Sequence, residues 1–551
     1  MSRLALLPLD DRPVNYDHPW WLGRAAGIDV IRPVRDWLGN PFRTADSARL
    51  STWLTKEGGA ADAVVIAIDT LAYGGLIPSR QSDTPLDEVR RSLEPLRLLR
   101  AARPGLLIYA FSILMRINRS DSAEEEKAYW ADHGRNLFRL SYLDDKANAG
   151  DASEDEVRER QVLFNLVAGS VVADYRAGRA RNNAINRLML EWAEQDLVSY
   201  IVIGQDDTAP YGWNIAESRA LRDVIAQRGL RDRAIVYPGA DEVGSLLIAA
   251  FACRSAGLKP RVFTRYSASD GPSMMTAYED RPLEQLVQAH LGPLGGEMTG
   301  SADQANLVLA VNAPGVEQVD GWLQLAVREP ELVAGRSGSS IDQQALDAVR
   351  CEMTTPRKDV DRLTAEIEAD LVADRNVAIV DVAFVNGADL ALAERLMAQV
   401  SIVRLAAYAA WNTAGNSLGS ALAQGVVRAI TRGKELSDDV ISAHVALLAI
   451  HFLDDYVYQG IVRTQIVLDD FHGLGLEPTF ARLPEQLVPE IERRIGRRMA
   501  AHVDALERHL TMSTIANGAE TRRVSALDIS APSLPWNRAF EIAITPRVEV
   551  T

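Results

Sequence analysis

The feature that most constrains this chain is a series of short, almost uninterrupted apolar runs separated by helix-length amphipathic segments. The runs are LALLPL (4–9), IDVIRP (28–33), AVVIAI (63–68), LLIYAFSIL (106–114), YIVIG (200–204), AIVYPG (234–239), RVFTRY (261–266), NLVLAVN (306–312), VAIVDVAFV (377–385) and VRLAAYAA (403–410). Strands that are apolar on both faces belong to a parallel sheet covered by helices on each side. Between two of them, Ile185, Leu188, Met189 and Trp192 follow the i, i+3, i+4, i+7 spacing of a helix stripe over 181–195. The expectation is an α/β protein of repeated βα units, either TIM-barrel-like or an open parallel sheet. Ten runs exceed one eight-stranded barrel. The reading is therefore a β/α catalytic domain over 1–315 and a second α/β part over 316–430. A mostly helical region over 431–551 ends in the strand-like FEIAITPRVEV.

A charged stretch over 116–180, with EEEK at 124–127 and DASEDEVRER at 151–160, reads as an exposed helical excursion whose charges face solvent. The segment 482–510 reads as one long amphipathic helix, and its RRIGRR cluster (493–498) as a solvated face. Across the 551 residues the net charge is −16. That balance argues against a general nucleic-acid or anionic-membrane partner, which would require a basic face. Cys253 and Cys351 stand alone, so neither a CxxC metal knot nor a disulfide framework is present. No apolar run approaches the ~18 residues of a membrane span. The N-terminal apolar core runs straight into Asp10 and Asp11, as a strand would and a signal peptide would not. A cytoplasmic location is expected, with homo-oligomerisation left open.

Chemistry collects where the runs end. The first is followed by Asp10-Asp11-Arg12, the third by Asp69 with Tyr73 and Arg80 beyond it, and the fourth by Arg116 and Asn118. The fifth is followed by Asp206-Asp207 and the sixth by Asp241-Glu242. Later runs lead into Asn312, then Asp381 and Asn386, then Trp411-Asn412. Parallel α/β folds bind ligands outside the carboxyl ends of their strands. One such Asp or Asn is readily a helix cap. Five strands ending in carboxylates or arginine point instead to a polar pocket, since buried charge is costly unless paired or functional.

The acid pairs Asp206/Asp207 and Asp241/Glu242 are the catalytic candidates. Glycosidic hydrolysis needs one carboxyl to protonate the leaving oxygen and another as nucleophile, base or orienter. Crowding of like charges raises one of the two pKa values and keeps a proton available. Asp10, Asp11, Arg12, Asp69, Tyr73, Arg80, Tyr211, Trp411, Asn412 and Asn416 are the substrate-binding candidates, the aromatic ones for stacking on a sugar ring. The expected partner is a small sugar, with no cofactor. Two alternatives remain open: a divalent cation such as Mg²⁺ on the same oxygen ligands, and a non-catalytic sugar- or metabolite-binding protein. Zinc is disfavoured because no histidine lies in a strand-end motif. Gly415-Asn416-Ser417-Leu418-Gly419 matches the GxSxG nucleophile elbow. Four residues separate it from the preceding strand, however, whereas an elbow follows its strand directly. There is neither a strand-end GxGxxG nor a P-loop.

The blocks PLDDRPVN (8–15), DTLAYGGLIPSR (69–80), GQDDTAPYGWN (204–214), PGADEVG (238–244), NGAD (386–389), WNTAGNSLG (411–419) and YVYQGIVR (456–463) resemble a bacterial family catalogued as a domain of unknown function. The resemblance carries no activity, but it implies that the blocks serve one site. GADEV and QDD are locally similar to the acid pairs of β-N-acetylhexosaminidases and related barrel enzymes. That likeness implies that the first acid polarises an acetamido group and the second is the general acid. Asp207 or Glu242 would then be the acid, and Asp206 or Asp241 its partner.

Overall fold

A computed structural model describes residues 2–333, 342–476 and 481–551. The chain divides into two compact units. The first comprises residues 1–16, 29–247 and 278–280, and the second comprises 17–28, 248–277 and 281–551.

Six runs build the first unit's sheet: β1 (Arg3–Leu7), β2 (Asp29–Ile31), β3 (Ala63–Ala67), β4 (Leu107–Leu114), β5 (Tyr200–Gln205) and β6 (Ala234–Pro238). All are parallel, in the order β2-β1-β3-β4-β5-β6. β3 is wholly buried and β4 nearly so, as strands covered on both faces must be. The order reverses between β1 and β3, and such a switch point opens a crevice at the carboxyl edge. The sheet is open, not a closed barrel, yet its carboxyl edge curls. Arg12, after β1, reaches Asp241, after β6 and four strands away.

From Trp130 onward the charged stretch is helical, in Trp130–Ala149, Glu154–Leu166 and Gly169–Glu194, whereas 116–129, with the EEEK run, is irregular. Ser153 and Glu156 form a reciprocal capping box at the second of these. The helices enclose an apolar cluster of their own around Trp130, Leu137, Leu140, Tyr175 and Trp213. The excursion is therefore packed, not merely solvated.

The second unit carries β7 (Arg261–Tyr266), β8 (Glu297–Met298), β9 (Leu307–Asn312), β10 (Val319–Asp320), β11 (Val377–Asp381), β12 (Phe384–Val385) and β13 (Ala407–Ala409). Five of them form a parallel sheet in the order β13-β11-β9-β7-β8, while β10 pairs with β12. The expected boundary at residue 315 is corrected here. β7 and β9 pair with each other and β9 with β11, so they belong to the second sheet. The C-terminal region adds the helix Val488–Thr511 and an antiparallel trio, β14 (Thr514–Asn517), β15 (Glu520–Ile529) and β16 (Pro546–Val550). Arg494 and Arg498 of the RRIGRR cluster bond Asp470, so half of that face is internal. One helical stretch, Asp438–Gly473, is long and apolar enough to cross a membrane. However, 83% of its most apolar window is buried inside the protein.

Gly204, late in β5, lies under the backbone of the loop after β6. A Cβ at this position would sit 2.4 Å from the Gly239 carbonyl oxygen. Gly204→Ala is expected to destabilise the chain by about 1–3 kcal/mol, because only backbone can yield there. Urea unfolding checks this. A stability equal to wild type would show that the two loops are not held this closely.

Candidate functional site

The first unit's strand ends produce two charge clusters. The first is built on Arg12. Its Nε and Nη2 donate to Asp10 Oδ2 at 3.0 and 2.7 Å, and its Nη2 and Nη1 to the two Asp241 oxygens at 2.6 and 3.3 Å. Asn15 Nδ2 bridges the same two carboxylates at 3.1 and 3.0 Å. These three charged side chains are at most 7% exposed. Asp10, Arg12 and Asp241 thus form a sealed clamp between the ends of β1 and β6. Asp11 lies beside the clamp and accepts from Asn40 Nδ2 at 2.8 Å. Gly239, at φ +144°, is where Glu242 folds back, and any Cβ there would strike the Glu242 carboxylate at 2.2 Å. Glu242 is buried, and its charge raises the pKa of the Tyr237 hydroxyl, which burial has already pushed up.

The second cluster gathers around Arg80 and Arg116. Arg80 Nη1 donates to Glu125 Oε2 at 3.0 Å, and its Nη2 pairs with Asp206. Arg116 donates to Glu125 at 2.8 Å, Glu126 at 3.2 Å and Asp207 at 3.1 Å. Arg80 and Glu126 are almost fully enclosed. Asp206 and Asp207, by contrast, keep 19% and 24% of their side-chain surface exposed. Asp207 adopts φ +44°, a left-handed backbone unusual for a residue with a side chain. Its proton affinity is raised, first by burial and then by the neighbouring Asp206 charge, with Arg116 opposing. Its residual exposure lets solvent moderate that shift. Burial likewise raises Glu126. Glu126 also lines a groove of about 740 Å³ with Gln81, Lys127, Tyr129 and Asp174.

Asp69 follows β3. Its Oδ2 accepts the Ile113 N–H of the neighbouring strand at 2.8 Å, and burial lifts its pKa to about 7. Tyr73 is buried with its ring 5.1 Å from the Arg181 guanidinium. Tyr211 is a correction. Its hydroxyl donates to Asp151 at 2.8 Å and its ring stands against Tyr142. The turn closing at Gly212 spends Tyr211 and Trp213 on docking the helical excursion and gives neither of them to the acids. Trp411, Asn412 and Asn416 lie in the second unit, after β13. Ser417 is buried in the helix Ala414–Thr431 with its hydroxyl donating to the Trp411 carbonyl at 2.9 Å, so it is not a nucleophile elbow.

Sequence reading missed Glu125, Glu126, Asn15 and Arg119, the last donating to the Thr208 carbonyl at 2.5 Å and opposing the rise in Asp207's proton affinity. The signal for the first two was EEEK directly after the strand-end Arg116, discounted as a solvated charge run. Asp381 and Asn312 end β11 and β9 in an enclosed network. Asn312 Nδ2 donates to Asp381 at 2.8 Å and to Asp389 at 3.3 Å, while Lys358 pairs with Asp389 at 2.8 Å and Glu352 at 3.1 Å. Full burial of Asp381 and Asn312 makes this a structural cap. Among the described residues no group of three or more His, Cys, Asp or Glu has metal-holding geometry. In both first-unit clusters a guanidinium holds the carboxylates that would have to converge on a cation.

Two outcomes are expected. Arg12→Gln leaves Asp10 and Asp241 buried without their cation and should lower unfolding stability by about 3–5 kcal/mol in urea titration. An effect under about 1 kcal/mol would mean that the clamp opens to water. For Asp69 the folded pKa of about 7 lies above the unfolded value near 4, so its contribution is intact at low pH and lost as pH rises through 7. Asp69→Asn should therefore remove a pH-dependent loss on the order of 2–4 kcal/mol between about pH 5 and about pH 8. Equal pH dependence in the two proteins would contradict the burial.

Comparison with curated proteins and with solved structures returns no match. A family model described as "Protein of unknown function (DUF4127)" matches residues 4–545, which takes in both units and both charge clusters. The chain belongs to that family, DUF4127.

Proposed function

We propose that the chain is a glycoside hydrolase with Asp207 as its general acid. The observation that carries this reading is the state of Asp207, a strand-end carboxyl of raised proton affinity that is still partly open to solvent and paired with a second acid. A carboxyl of raised proton affinity is what an ether oxygen needs as it leaves. In the proposed step the bond between the anomeric carbon and the glycosidic oxygen breaks, and the Asp207 proton passes to that oxygen. Asp207 is left as a carboxylate facing the Arg116 guanidinium at 3.1 Å, which stabilises the charge just formed. Asp206, paired with Arg80, lies beside the positive charge that grows on the sugar ring and stabilises it. A water molecule then supplies the hydroxyl at the anomeric carbon, and its remaining proton passes to the Asp207 carboxylate and restores the acid. The groove beyond Glu126, bordered by Tyr129 and Asp174, offers an aromatic face and hydroxyl acceptors for the rest of the saccharide.

A panel of chromogenic glycosides, N-acetylhexosaminides included, tests this with and without EDTA. Release from at least one member is expected to survive EDTA and to fall by about 10²–10⁴ in Asp207→Asn, with substrate still bound. Activity should fall as pH rises through the raised pKa of Asp207, because the acid form does the work. Arg116→Gln removes the group that lowers that pKa, and so should move the alkaline limb to higher pH. Undiminished turnover in Asp207→Asn, or no release from any member, would defeat the proposal.

A further inference from the structure

We propose that the second unit carries, at the carboxyl end of β13, a site of its own for a neutral, hydroxyl-rich ring such as a hexose or a cyclitol. Asp454 and His451 would hydrogen-bond the ring's hydroxyls, and Trp411 would cover its apolar face. This inference does not depend on the hydrolase reading. It starts from backbone that is costly to hold. Asn386 and Asn412 both adopt left-handed conformations, at φ +58° and +63°, and the Asn386 N–H donates to the Asn412 carbonyl at 3.0 Å. Such left-handed backbone clusters at ligand sites. Beside them, Phe452–Val462 runs as a π-helix, a rare conformation found mostly where function needs a side chain re-aimed.

The π-helix and the turn before it bring two hydrogen-bonding side chains to this strand end. Asp455 Oδ2 accepts the Ala410 N–H at 2.7 Å and His451 Nδ1 at 3.0 Å. Asp455 therefore orients the imidazole and leaves Nε2 as the ring nitrogen for a ligand. His18 stands edge-on to His451 with ring centroids 5.5 Å apart, and burial together with that neighbour drives its pKa down to about 3. The flanking ring is thus neutral at ordinary pH.

Asp454 is 6% exposed, and among the described residues no ion pair or backbone donor reaches it. Gln459 Nε2 donates to its Oδ1 at 3.2 Å and to the Phe540 carbonyl at 2.9 Å. Gln459 Oε1 is fully enclosed without a hydrogen-bond partner. The contrast with the first unit is chemical, since Asp206, Asp207 and Asp241 each have a guanidinium. The nearby Arg463 donates to the Asn386 carbonyl at 3.0 Å and lies 3.6 Å from Asp320. Burial and Asp455 favour the protonated form of Asp454, which suits a neutral partner. Trp411 meets Phe540 edge-to-face at 6.2 Å and provides the aromatic wall on which the C–H face of a sugar stacks.

The test uses the full-length protein labelled with 5-fluorotryptophan, with the Trp411 signal assigned from Trp411→Phe. Glucose, N-acetylglucosamine and myo-inositol are titrated to millimolar concentration and followed by fluorine NMR. A saturable shift of the Trp411 signal with at least one of them is expected. Asp454→Asn and His451→Gln should each weaken it about tenfold while thermal stability stays unchanged. The shift should persist in Asp207→Asn, which separates this site from the proposed catalytic acid. No saturable shift with any of the three probes would overturn the proposal. So would wild-type affinity in both the Asp454 and the His451 variants.

Discussion

The first unit rests on the pairing of buried carboxylates with arginine. Parallel strands direct their carboxyl ends, and whatever polar residues follow, to one edge of the sheet. An ionised carboxylate enclosed there is costly unless a cation goes with it. Arg12 answers Asp10 and Asp241, Arg80 answers Asp206 and Glu125, and Arg116 answers Asp207, Glu125 and Glu126. These pairs also hold the fold together. The Arg12 clamp ties the first strand's loop to the sixth, and Arg80 and Arg116 anchor the acidic segment that leads into the helical excursion.

The same constraint separates structure from chemistry among acids that look alike in sequence. Asp241 is gripped by both terminal nitrogens of one guanidinium and sealed, so it behaves as a strut. Asp207 has one arginine bond, a second acid beside it and an exposed edge, and its proton affinity is raised. Asp69 makes no ion pair among the described residues and accepts a strand N–H, and burial lifts its pKa to about 7. In the second unit Asp381 is capped by Asn312 within an enclosed network, while Asp454 is left with a carboxamide. Desolvation acts on all of these acids, and the partner each one finds decides whether it is inert or titratable.

Each of the ten apolar runs contains a strand, the stripe at 185, 189 and 192 is buried, and the long C-terminal helix is present at Val488–Thr511. These are consequences of local periodicity, and any segment reveals its own periodicity. The acids after the strands were equally legible, because a strand that ends in Asp must deposit it at the sheet edge. Position in the chain could not tell that Tyr211 would turn to Asp151, or that EEEK would fold inward onto two arginines. An acidic run satisfied by water and one satisfied by guanidinium read the same.

The sequence by itself determined the α/β class, the parallel character of the sheets and the presence of carboxylates at their working edge. Those follow from side-chain period and from bonds between neighbours along the chain. Tertiary structure alone decided that six strands form one parallel sheet and five another, and that Arg12 meets Asp241 from 229 residues away. It also decided that a π-helical turn aligns His451 with Asp455. Each of these depends on which distant segments share a dehydrated space, and desolvation energy belongs to that shared space, not to any one residue.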